Sequence, residues 1–283
     1  MAIFEKRIVA FIDILGFTNL VKTGAETENE TTLEDIYNIL KYLSAWQTRQ
    51  PNTWDHRFIN SDPDVQQNTQ AYEVKNLYCT CFSDSLVVSM PYDDMRFPRQ
   101  FSTFVSNLAH IGSKLIQLGV LIRGGIAKGK LMHDSQGIIF GPAFNEAYDI
   151  ERNKAEYPRI ILSADLVNLL YSYPTNSGAL QYPYRYFLKR FDDGCVGLHQ
   201  MTFFEYQHAI YSNELTRSRT SLLKKLDEHL CDPKVFRKYR WLTDELNTLD
   251  IDCTLKIKTD LTDGGTKPYN IFYREVNPDS TSL

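Results

Sequence analysis

Cysteine is scarce in this chain, and the few that occur form no pattern. Among 283 residues there are five, Cys79, Cys81, Cys195, Cys231 and Cys253. Their odd number and their scatter through hydrophobic or helical text exclude a disulfide framework, so reduced thiols are expected. Cys79 and Cys81 stand on a strand, whose alternation sends both side chains to one face, but no second pair completes a zinc set. The six histidines, His56, His110, His133, His199, His208 and His229, show neither H-x-x-H nor H-E-x-x-H spacing. Long apolar runs are missing as well. No stretch approaches the roughly 20 residues that span a bilayer, and Met1 to Arg7 carries no extended apolar segment or small-residue cleavage site. A soluble, cytoplasmic protein without a membrane partner is expected. Nor does one sign of charge dominate: 31 Lys and Arg stand against 35 Asp and Glu, a net charge of −4. Neither nucleic acid nor an anionic membrane is therefore expected as a partner, and any anionic ligand must be held locally.

The chain is 43% hydrophobic, enough for a sizeable core in one large domain or in a domain with an appendage. Residues 7 to 14 read as a β-branched apolar strand, broken at Gly16-Phe17-Thr18 before a helical stretch around Thr32 to Trp46. Asn52 to Asn76 is polar and reads as a surface insertion, though Trp54, His56 and Tyr72 within it could reach a ligand. Leu77 to Cys81 and Leu86 to Met90 form a hairpin about Phe82-Ser83-Asp84-Ser85. Phe101 to Leu118 carries the apolar stripe of an amphipathic helix. A strand follows at Val120 to Ala127, then a hairpin partner at Gly137 to Gly141, and a helix that opens on Pro142 and runs to Arg152. Arg159 to Ser163 is a strand, Ala164 to Tyr171 a short helix, and Phe187 to Leu198 a hairpin turning at Asp192-Asp193-Gly194. The order β-α-β-β-α-β-β-α-β points to an α/β (α+β) layer of the split βαβ, ferredoxin-like kind over residues 1–200, with the polar insertion at about 50–76. Residues 201–283 are expected to be a helical extension with a turn-rich tail.

Two aspartates sit in hydrophobic surroundings. Asp13 ends the run Ile8-Val9-Ala10-Phe11-Ile12, and Asp84 lies in Cys81-Phe82-Ser83-Asp84-Ser85-Leu86-Val87-Val88. A carboxylate at the end of an apolar strand is costly to desolvate unless it is paired, hydrogen-bonded or metal-bound. Two brought together would repel, and a divalent cation would resolve both problems. Taken singly, each also fits a strand-end or turn acid; jointly, and in this order of elements, metal bridging fits better.

The strand followed by Asp13-Ile14-Leu15-Gly16-Phe17-Thr18, the hairpin aspartate and a helix with an early Asn resemble class III nucleotide cyclases over residues 7 to 165. Within that class, Phe82-Ser83-Asp84-Ser85, Arg123-Gly124-Gly125-Ile126, and Phe140-Gly141-Pro142-Ala143-Phe144-Asn145-Glu146-Ala147 running to Tyr157-Pro158-Arg159-Ile160 resemble the pyrimidine cyclases of bacterial Pycsar antiphage systems. The resemblance implies two ions, Mn²⁺ or Mg²⁺, held by Asp13, Asp84 and the backbone carbonyl of Ile14. The amides of Leu15, Gly16, Phe17 and Thr18, at the turn entering a helix, would hold the phosphates. It further implies that Asn145 orients the ribose. The arginine that usually follows four positions later is absent, since residue 149 is Asp; Arg152, on the same helix face, and Arg123 are the candidates to neutralise the α-phosphate. Arg152 equally fits a solvated helix residue paired with Asp149 or Glu151.

Where purine cyclases of the class read the base with Lys and Asp, this chain has Thr80 and Ile138. A site lacking the required polar partner discriminates strongly, so a pyrimidine is expected. The resemblance thus implies a homodimeric uridylate cyclase that converts UTP to 3′,5′-cyclic UMP and pyrophosphate, with active sites at the subunit interface and a product that acts on a separate effector in antiphage defence. The alternatives are a cytidylate cyclase, a purine cyclase with a rearranged pocket, and a degenerate domain that binds nucleotide as a sensor.

Overall fold

The computed structural model describes residues 4–27, 34, 37–38, 41, 77–173, 183–201 and 208–247. Strand β1, Glu5–Ile14, is buried from Arg7 to Ile12. That explains why its sequence is a continuous apolar run rather than an alternation, because both faces are covered. It pairs antiparallel with β3 (Ser85–Pro91) on one side and with β4 (Ile122–His133) on the other. Beyond β3 lies β2 (Tyr78–Phe82). Beyond β4 come β6 (Ile160–Leu162), β8 (Val196–Leu198) and β7 (Leu188–Arg190), in the order β2-β3-β1-β4-β6-β8-β7, while β5 (Ile139–Phe140) pairs with β4. The β4–β6 pair is parallel and the others are antiparallel. The chain is therefore a mixed α/β protein built on an eight-stranded sheet.

Six α-helices are present among the described residues. We number them α1 (Phe17–Thr27), α2 (Phe97–Gln117), α3 (Pro142–Lys154), α4 (Ala164–Ser172), α5 (His208–Glu228) and α6 (Pro233–Asn247). The apolar stripe of α2, with Phe101, Phe104, Leu108, Ile111 and Leu115, packs with Ile8, Ala10, Ile12 and Ile14 of β1, and Leu166 and Leu170 of α4 join the same core. Burying each of those phenylalanines is worth about 1.5–3 kcal/mol. Helix α2 begins four residues before the expected start, because Pro98 suits a first turn whose N–H groups have no intrahelical acceptor.

The opposite face of the sheet is covered by α3. Val9, Phe11, Val87, Ala127 and Leu131 pack there with Ala143 and Ala147, and the Phe11 ring meets Phe144 and Tyr148 edge-on. The approach is close because residue 125 is Gly. A Cβ there would lie 2.2 Å from the Ala147 carbonyl oxygen and 2.8 Å from Ile150 Cβ.

At the C-terminal end, Leu222 of α5 and Tyr239, Leu242 and Leu246 of α6 belong to the same core as α2. Helix α6 is seated by a hydrogen bond from the Tyr239 hydroxyl to the Gly119 carbonyl (3.1 Å), by Trp241 stacked on Tyr157, and by an ion pair between Glu245 and Lys189 of β7. The sequence places the first helix at about Thr32 to Trp46, but α1 starts at Phe17, directly after a turn in which Gly16 has φ 79°. Of the later stretch, Glu34, Tyr37, Asn38 and Lys41 are helical, and the remainder lies outside the described residues. So do the insertion with Trp54, His56 and Tyr72, Cys253, and the tail. Among the described residues no helix is long and apolar enough to cross a membrane.

Candidate active site

Asp13 is the last polar residue of β1 and shares the α3 face with Val9 and Phe11. Its cross-strand neighbours are Ser85 on β3 and Arg123 on β4. The β2–β3 turn is two residues long, Ser83 and Asp84, with Ser83 at φ 52°. It is tied to the end of β1 by the Ile14 amide, which donates to the Asp84 carbonyl at 2.9 Å. Asp13 and Asp84 are thereby held at one end of the sheet. Burial raises the Asp13 carboxyl above the ordinary carboxylate range, and the nearby Asp84 adds to the rise, while Arg123 and Lys238 oppose it.

Arg123 occupies the middle of this group. Its Nε lies 3.3 Å from Asp13 Oδ2, and its Nη2 lies 2.7 Å from Glu151 Oε1 on α3. Glu151 is buried, and burial likewise raises its carboxyl, against the pull of Arg123. Lys238 enters the same field from α6. Burial lowers its ammonium, Arg123 lowers it further, and Asp13 draws it back up.

Of the candidate polar residues on the later elements, the structure brings Arg123 to Asp13. Asn145 and Arg152 are exposed, on the outward stripe of α3, while Ala143, Ala147, Ile150 and Glu151 face inward. At the entrance to α1, the Leu15 amide donates to the Leu121 carbonyl at 2.9 Å. That leaves Gly16, Phe17 and Thr18 at the position where a helix start lacks intrahelical acceptors.

Thr80, on β2, belongs to a buried polar chain. Its Oγ1 is 2.8 Å from His133 Nε2, and His133 Nδ1 is 2.8 Å from Ser89 Oγ. Ser89 Oγ accepts from Arg7 Nε at 2.9 Å, and Arg7 Nη1 reaches Glu5 at 2.7 Å. The Arg7 guanidinium also lies 4.8 Å from the Tyr78 ring centre. Burial, with Arg7 second, pushes the His133 ring down to about 4, so it is neutral at physiological pH. Ile138 belongs to the turn opposite Thr80, for a Cβ on its neighbour Gly137 would touch the Thr80 side chain at 3.4 Å.

The donors gathered at Asp13 are oxygens, the kind that hard divalent cations take. Among the described residues, however, no group of three or more His, Cys, Asp or Glu could hold a metal by itself. The carboxylates of Asp13 and Asp84 are of the kind that Mg²⁺ or Mn²⁺ takes, and such an ion would need further ligands from outside this group.

Sequence reasoning missed Glu151, Lys238 and the chain behind Thr80. The first had a signal, because residues 143, 147, 150 and 151 recur at helical spacing and mark a buried stripe that ends in an acid. Lys238 had none. Compared with known families and curated proteins, the chain matches no family model and no curated sequence.

Proposed function

We propose that the chain is a class III-type nucleotide cyclase that converts UTP to 3′,5′-cyclic UMP and pyrophosphate. The observation that carries this reading is the Ile14 to Asp84 hydrogen bond, which fastens the hairpin turn to the end of β1 and sets both aspartates at one end of the sheet. The fold supports it. The first four strands stand in the order β2-β3-β1-β4, antiparallel throughout, with helices after β1 and β3, as in a ferredoxin-like βαββαβ core. In the reaction the ribose 3′-oxygen bonds to the α-phosphorus, the bond from that phosphorus to the bridging oxygen breaks, pyrophosphate leaves, and the 3′-proton passes to solvent.

Asp13, Asp84 and the Ile14 carbonyl would hold two Mn²⁺ or Mg²⁺ ions, which lower the pKa of the 3′-hydroxyl and neutralise the triphosphate. The amides at the start of α1 bind phosphate oxygens. Arg123 holds Asp13 in place and opposes the upward pull of burial on its carboxyl. Asn145 and Arg152 lie on the exposed stripe of α3, which supports a homodimer whose two-fold axis brings these residues to the partner's aspartates. By the same resemblance the product acts on a separate effector in cytoplasmic antiphage signalling.

A second reading, a nucleotide sensor without turnover, is favoured by the Arg123–Asp13 ion pair, in which a resident cation competes with the metal. The two are separated by incubating the protein with Mn²⁺ and each of ATP, GTP, CTP and UTP, then identifying products by liquid chromatography and mass spectrometry. Cyclic UMP from the wild type, with turnover reduced at least ~10³-fold in Asp13→Ala and in Asp84→Ala, supports the cyclase. An active double variant sinks the two-metal proposal, and binding of UTP without any product favours the sensor.

A further inference from the structure

The polar chain behind Thr80 has a direction. Arg7 is always a donor, so its Nε–H fills one lone pair of Ser89 Oγ. The Ser89 hydroxyl proton then has one acceptor within reach, His133 Nδ1, at 2.8 Å. Ser89 is 0% exposed, so an unmatched proton there would be a buried donor without an acceptor, which is costly. If Nδ1 accepts, the neutral ring carries its proton on Nε2, and Nε2–H donates to Thr80 Oγ1 at 2.8 Å. The Thr80 hydroxyl proton is then left over. The opposite tautomer would satisfy Thr80 and strand Ser89. Thr80 retains 7% exposure where Ser89 has none, so the unmatched donor belongs at Thr80, the less buried end of the chain.

We infer that His133, fixed by Ser89 and Arg7, is a positioning residue that makes Thr80 an outward hydrogen-bond donor, so that the site selects a carbonyl over an amino group at the exocyclic 4 position of a pyrimidine. This rests on the cyclase reading, in which Thr80 faces the base. Uracil offers an oxygen acceptor at that position. Cytosine offers an amine, which would meet Thr80 donor to donor and leave both protons unmatched. The chain thus supplies a physical basis for UTP over CTP that Thr80 alone does not, because an isolated hydroxyl rotates to suit either partner.

Two measurements test it. In protein labelled with ¹⁵N-histidine, with the His133 signals assigned by their loss in His133→Gln, the long-range proton–nitrogen spectrum should show the Nε2–H tautomer; the Nδ1–H tautomer overturns the inference. Next, kcat/KM for UTP and for CTP is compared in wild type, Thr80→Val and Thr80→Ser. The expected result is a UTP/CTP ratio that falls about tenfold in Thr80→Val and returns in Thr80→Ser. A ratio unchanged in Thr80→Val, or both substrates weakened equally, overturns the inference while leaving the cyclase intact. If the wild type turns over neither nucleotide the cyclase reading falls, and calorimetric binding of UTP against CTP to the same variants decides the inference by the same ratio.

Discussion

Arg123 stands directly across the β1–β4 ladder from Asp13, its Nε 3.3 Å from the carboxylate, and its Nη2 reaches Glu151 at 2.7 Å. One cation therefore serves two carboxyls that burial has already pushed upward. Both acids hold protons in the folded state that the unfolded chain has released, so between their ordinary and their raised values they weaken the fold as pH rises.

Removing the cation should sharpen that trend. Arg123→Gln is expected to cost about 2 kcal/mol at pH 7, because two partly buried carboxylates lose their partner, and less at pH 4, toward which both carboxyls take up protons. Denaturant unfolding of wild type and variant at the two pH values checks this. An equal loss at both would mean that Arg123 contributes packing rather than charge.

His133 gives the opposite slope. Its folded value of about 4 lies below the ordinary 6.5, so the unfolded chain takes up a proton first as the solution is acidified. The stability linked to the neutral ring is complete above pH 6.5 and is lost as pH falls from there toward 4, by at most about 3 kcal/mol. A His133→Phe variant should show a flatter stability profile across this window. A profile identical to wild type would show that the ring is not held neutral.

Gly125 and Gly16 should differ in kind when replaced by Ala. At 125 the new Cβ meets backbone, the Ala147 carbonyl at 2.2 Å, which cannot yield without moving α3. A loss of about 1–3 kcal/mol or more is expected, together with lost activity, since α3 carries Glu151, Asn145 and Arg152. At 16 the Cβ meets nothing within 4 Å, and the penalty is the φ of 79°, about 1 kcal/mol. Thermal unfolding of both variants makes the comparison, and equal losses would contradict the close approach of α3.

Lys238 draws the Asp13 carboxyl down from the far end of the chain. In Lys238→Met that pull is gone, so Asp13 should hold its proton to higher pH, and the acid limb of the pH–rate profile of the proposed cyclase activity should move upward. A limb that stays in place would detach α6 from the electrostatics of the site.

Whatever depends on near neighbours is legible in the order of residues. The apolar run closed by Asp13, the hairpin that turns at Asp84, the α2 stripe and the Pro142 helix start are periodicities and turn chemistries that fit within a few residues, and the structure reproduces each of them. Glu151 was half legible, as an acid at the end of a buried helical stripe. That its partner is Arg123, that Lys238 arrives from α6, and that Thr80, His133, Ser89 and Arg7 form one chain emerge only once the sheet is assembled. Those relations follow from the order of β2, β3, β1 and β4 and from how closely α3 can approach Gly125. Pairing between distant segments is selected by the packing of the whole sheet, and no local pattern records it.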